Sequence, residues 1–232
     1  MKANFKRFPR LCPEPSSVIV IFVCICGTVN FTARASEIIW GNTATTWSSN
    51  SSWVGGVAPA NSLTQDTALF NNLKFNFTPS TATTSISGIT VGDGNTTTGA
   101  LSFNNAALTI GASGITVRGN GASGIGQFYL NNNVILGATQ TWTNNAYVTA
   151  NNTAGLKAGT LTTAANLGSV TLTLAGSGNS GTVTGLSTAT NNFNIDLLGI
   201  VSEGSGSQLA VVVNTIGTGI VSFNAANTFT GG

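Results

Sequence analysis

The chain has 232 residues, a formal net charge of +2, only 6% charged side chains, no histidine, three cysteines and one methionine. Cys12, Cys24, Cys26, the methionine and the basic residues Lys2, Lys6, Arg7, Arg10 and Arg34 all precede Ser36. The remainder is weakly acidic, with no basic patch for nucleic acid or anionic lipid and too few reactive groups for most catalysis.

Residues 1–35 read as a secretory signal peptide. Lys2, Lys6, Arg7 and Arg10 form a positive start, Val18–Val29 an apolar core, and Ala33-Arg34-Ala35 a small-x-small cleavage site. That core is about 18 Å long as a helix, short of the roughly 30 Å hydrocarbon thickness of a bilayer. A cleaved leader is expected over a membrane anchor, and no second apolar run follows. The cysteines leave with the leader, so the exported part must fold without disulfides.

From residue 36 onward the apolar residues come in short alternating runs. They are Ala68–Phe70, Ile86–Val91, Ala100–Phe103, Ala107–Ile110, Ile115–Val117, Gln127–Leu130, Val134–Leu136, Val170–Leu174, Phe193–Leu197, Leu209–Val213 and Ile220–Phe223. Each is rich in β-branched or aromatic residues and bounded by Gly or Asn, which predicts strands. Residues 156–167 are the one helical candidate, weakened by Gly159 and its neighbouring threonines.

Internal repetition narrows the architecture. Ser87-Gly88-Ile89-Thr90-Val91 returns as Ser113-Gly114-Ile115-Thr116-Val117, and Leu101-Ser102-Phe103-Asn104 returns as Val221-Ser222-Phe223-Asn224. Asn tolerates the left-handed backbone of sharp corners. Short strands with such corners, on a period of roughly 20–26 residues, predict an all-β chain built as a parallel β-helix, with a β-sandwich or jelly roll as the alternative. The expected organisation is a leader over 1–35, capping and first strands over 36–80, and β-helix repeats over 81–232. If the final strands end uncovered, self-association through the C-terminal end is expected.

Two stretches resemble a known family. Trp47-Ser48-Ser49-Asn50-Ser51-Ser52-Trp53-Val54-Gly55-Gly56-Val57-Ala58-Pro59, followed by Asp66-Thr67-Ala68-Leu69-Phe70, is similar to the opening of bacterial surface proteins carrying autotransporter-associated β-strand repeats. Asn227-Thr228-Phe229-Thr230-Gly231-Gly232 is similar to that family's repeat signature. In the opening, a serine pair separates Asn50 from Trp53, a small departure. The resemblance implies a right-handed parallel β-helix passenger, exported to the cell surface or outer membrane or released, with no catalytic residues to carry over. Such proteins continue into further repeats and a barrel or sorting anchor, so the chain is expected to be a truncated fragment of an adhesin-like passenger.

The chemistry favours a non-enzymatic structural or adhesive protein. Glycoside hydrolysis needs two carboxyls about 5–9.5 Å apart, and the acids Glu37, Asp66, Asp93, Asp196 and Glu203 are scattered. No catalytic residue, metal ligand set or cofactor site is assigned; Asp93 alone, in its Gly-flanked turn, offers too few oxygens for Ca²⁺. Aligning the Ser-Gly-Ile-Thr-Val copies sets Arg118 opposite Gly92, one step from Asp93. Trp40, Trp47 and Trp53 are the candidate ligand-binding residues, through stacking on a glycan of a host or neighbouring cell. The favoured role of the same three rings is a hydrophobic cap that closes the first coil. A β-helical carbohydrate-active enzyme or carbohydrate-binding module is the rival reading.

Overall fold

A computed structural model of the protein describes residues 36–43, 46–71, 79, 83–92, 100–104, 106–118, 127–131, 133–145, 155–177, 195–216 and 221–231. The expected leader with Ala33 and Ala35, and also Asp93 and Gly232, lie outside these residues.

The described residues include fifteen strands, in chain order: β1 (Ser36–Ile39), β2 (Asp66–Phe70), β3 (Thr84–Val91), β4 (Ala100–Phe103), β5 (Leu108–Val117), β6 (Gln127–Leu130), β7 (Val134–Leu136), β8 (Gln140–Asn144), β9 (Leu156–Ala158), β10 (Leu161–Thr163), β11 (Gly168–Ser177), β12 (Ile195–Leu197), β13 (Val201–Ser202), β14 (Ser207–Ile216) and β15 (Val221–Phe223). One short 3-10 turn, Asn50–Ser52, precedes β2. The helical candidate at 156–167 is instead β9 and β10. Leu156, Ala158 and Leu161 alternate with half-buried Lys157 and Thr162, a period of two that overrides the weak helical spacing. The separate runs at 107–110 and 115–117 belong to one strand, β5.

All pairs between named strands are parallel. One sheet runs β1-β2-β3-β5-β7-β10-β13, with β8 joining β5 to β11 and β11 pairing β14; the other runs β4-β6-β9-β12-β15. Sandwiches and jelly rolls are antiparallel assemblies, so the described pairing is of the other kind. β1, β2 and β3 pair in succession within the first sheet; from β4 onward the described strands come from the two sheets by turns, each pairing in parallel with strands of neighbouring visits. Ile89 faces Ile115, which faces Trp142; Phe128 faces Leu156, which faces Ile195. The period is uneven: paired residues are 21 positions apart between β2 and β3 (Thr67 to Gly88) and 26 between β3 and β5 (Ile89 to Ile115), within the expected range, but 40 between β10 and β13 (Leu161 to Val201).

Alternation decides what is buried. The outer positions of each short strand face a common core, where Leu101, Phe103, Phe128, Leu130, Leu156, Ala158, Ile195 and Leu197 are all inaccessible to solvent. Each fully buried Leu, Ile or Phe contributes about 1.5–3 kcal/mol. The Ser-Gly-Ile-Thr-Val copies lie side by side, Gly88 on Gly114 through Val91 on Val117, as their repetition predicts. Their serines share a 2.7 Å hydrogen bond. Gly114 sits at φ +62°, and a Cβ there would come 2.1 Å from the Thr141 carbonyl oxygen. Only glycine permits that approach.

Candidate functional site

The three N-terminal tryptophans come together. Trp40, Trp47 and Trp53 are 1, 4 and 3% exposed. Trp53 meets Trp40 and Trp47 edge-on at 5.0 and 5.1 Å between ring centres. Phe70 touches all three, and Phe103 continues the column to Phe128. The Trp53 indole N–H donates to the Trp47 carbonyl at 2.7 Å. These rings are packed against protein, the geometry of a cap over the edge of β1. Backbone pairing extends the cap: Gly41 N–H donates to Ser52 O, Val54 N–H to Ile39 O, and Trp40 and Trp53 form an antiparallel bridge. Trp47 alone of the three lines a cleft of about 180 Å³, with Ser48, Ala58, Pro59, Asn61, Thr83 and Thr84.

A second grouping has no precedent in the sequence reading. The outward positions of the second sheet stack Ser102, Tyr129, Lys157, Asp196 and Ser222 in one column. The Lys157 ammonium lies 5.4 Å from the Tyr129 ring centre, a cation–π distance. Asp196, its next neighbour, is buried and accepts from the Asn224 side-chain amide. Burial pushes the Asp196 carboxyl above its ordinary range, against the opposing pull of Lys157 and of hydrogen bonds from Asn224 and Ser222. Lys157 and Asp196 are paired across β9 and β12, so the column sets one ammonium next to one buried carboxyl.

Arg118 lies opposite Gly92, as alignment of the copies predicts, its N–H donating to the Val91 carbonyl. Its guanidinium reaches Glu37 at 3.9 Å, with both side chains nearly half exposed. Such a surface pair contributes about 0–1 kcal/mol. Among the described residues no group of three or more Asp or Glu is placed to hold a metal ion, and no helix is long and apolar enough to cross a membrane.

The signature at the C-terminus docks residue by residue. The Asn227 side-chain oxygen accepts from Val201 N–H, and Thr228 N–H donates to Val201 O. Phe229 packs on the core and on Phe223. Gly231 bridges Ala210 in parallel, where a Cβ would lie 2.4 Å from the Leu209 carbonyl oxygen. Glu203, which the sequence showed only as one scattered acid, binds this run through its carboxylate. The Glu203-Gly204-Ser205-Gly206 corner was its only local signal.

Comparison with protein-family models, with curated proteins and with solved structures finds no match to this chain.

Proposed function

We propose that this chain is an exported, non-enzymatic surface protein, an adhesin-like passenger folded as a right-handed parallel β-helix. The observation that carries the reading is the in-register parallel stacking of successive visits to two sheets, with repeated sequence lying on its own copy. Stacked units of this kind bury their core only against neighbours. The hand follows from the right-handed rule for crossovers between parallel strands. The docking of Asn227–Gly231 supports the resemblance to autotransporter-associated β-strand repeats, because these five signature residues make contacts with β13, β14, Glu203 and the core.

Export is part of the proposal. N-terminal sequencing of secreted or surface-held protein should read Ser36-Glu37-Ile38; an intact Met1 on that material overturns it. For the function itself, cells displaying the chain should adhere to host or neighbouring cells, or to a glycan array, more than cells without it. Release of reducing ends from a polysaccharide by the purified protein would replace the reading with a carbohydrate-active enzyme.

A further inference from the structure

Glu203 stands at the corner between β13 and β14, and its carboxylate joins two passes of the chain. From β14 it accepts Leu209 N–H at 2.7 Å. From the run 227–231 it accepts Thr230 N–H at 2.8 Å, Thr230 Oγ1–H at 2.9 Å and Gly231 N–H at 3.4 Å. The corner itself is fixed from below, since Gly204 N–H donates to Thr163 Oγ1 at 2.7 Å and the Ser207 hydroxyl donates to the Ala164 carbonyl at 2.7 Å. The carboxylate is therefore anchored on the sheet while the run it binds has few other ties: the Asn227 and Thr228 contacts, the Phe229 ring and the Gly231 bridge.

Every donor on this carboxylate favours its ionised form, and these contacts hold its pKa below the ordinary glutamate value. A protonated carboxyl would lose charge-assisted bonds and direct a donor at N–H groups that need an acceptor. One other carboxyl is tied to this part of the chain: Asp196 of β12 accepts from Asn224, just ahead of the run, and its own pKa is raised; Glu203→Gln keeps Asp196 and so separates the two. The segments packed around Glu203 are β10 with the following corner (161–167), β13 through β14 (201–216) and the run 224–231. Glu203 is the only ionisable side chain in any of them.

We propose that Glu203 is an acid-released latch: ionised, it holds Asn227–Gly231 against β13 and β14, and protonated, it lets that run leave while the sheets beneath stay folded. The sign follows from the lowered pKa. The contribution is fully present above the unfolded-state pKa and is lost as pH falls through the lower folded-state value. The device is local because the run is an edge element, and edges open before the core.

Amide hydrogen exchange on the isotopically labelled exported chain tests this, with rates corrected for the intrinsic pH dependence of exchange. Between pH 7 and pH 3 the corrected rates of Thr230 and Gly231 should rise by roughly tenfold or more, while Ile89 and Ile115 in β3 and β5 stay protected. Glu203→Gln should show the fast rates already at pH 7 and little further change on acidification. Equal protection of Thr230 and Gly231 at both pH values in the unaltered chain overturns the proposal. So does loss of protection in all strands together, because Glu203 would then hold the fold rather than a latch. If the variant fails to fold, the pH series on the unaltered chain decides alone.

Discussion

Two buried polar side chains show how little the residue type alone says about its role. Gln140 is buried in β8 with every polar atom used: its amide donates to Ile110 O at 2.9 Å and Ala138 O at 3.2 Å, and its oxygen accepts from the Trp142 indole at 2.8 Å. Gln140→Leu keeps the volume but strands the Trp142 N–H, while the Ile110 carbonyl keeps its bond from Gly137 N–H, so urea unfolding should show a loss of about 1–3 kcal/mol. Asp196 behaves in the opposite way. Its pKa is raised because desolvation outweighs Lys157 and the hydrogen bonds, so ionisation weakens the fold as pH rises through the folded-state value. Asp196→Asn should raise the thermal midpoint at pH 7 and leave it unchanged at pH 3, where the aspartate is already neutral. An equal effect at both pH values would mean that packing, not charge, sets the difference.

At the level of elements, the aromatic column is the largest single investment in the core. Phe103 meets Trp47, Phe70 and Phe128 at 5.5 to 5.8 Å and is wholly buried. Phe103→Ala should cost about 3–5 kcal/mol by denaturant titration, because the flanking strands cannot collapse into the space without leaving register. Much of this level was legible beforehand. Strands such as β4, β6 and β7 carry alternating apolar residues of the right kind, and the Ser-Gly-Ile-Thr-Val copies announced their own pairing because identical side chains stack well on themselves. Strands with fewer apolar residues were not legible. β13 is two residues long, β10 is two-thirds threonine, and β8 sets its buried Gln140 and Trp142 among exposed or half-buried threonines; each is a strand because its neighbour supplies a partner, not because its own composition demands one. The tryptophan cap was readable as an aromatic cluster, whereas the Glu203 contacts were not, since they join residues up to 28 positions apart across a corner of Gly and Ser.

At the scale of the whole molecule, the described strands are covered unequally. Residues 46–58 fold back over β1, while β14 of the first sheet exposes Val212, Val213 and Ile216, and Phe223 of β15 in the second sheet is partly bare. Unshielded strand edges beside apolar side chains are templates for a second chain. Because Val213 and Ile216 are exposed on β14, a protein of residues 36–232 is expected to self-associate at high concentration, and Val213→Lys with Ile216→Lys should shift it toward monomer by light scattering. A concentration-independent monomer in the unaltered chain would show that this surface is already protected.

The turns from the second sheet back to the first are uniformly short, joining Phe103 to Leu108, Leu130 to Val134, Ala158 to Leu161 and Leu197 to Val201. The segments that leave the first sheet are not: 118–126, 145–155, 178–194 and 217–220 differ widely in length, yet the strands on either side keep their register. Spacing and decoration are thus written in different parts of the chain. β11 and β12, on either side of the longest of these separations, keep their pairs with β14 and β15, so register is set by the strands themselves and not by the length of chain between them.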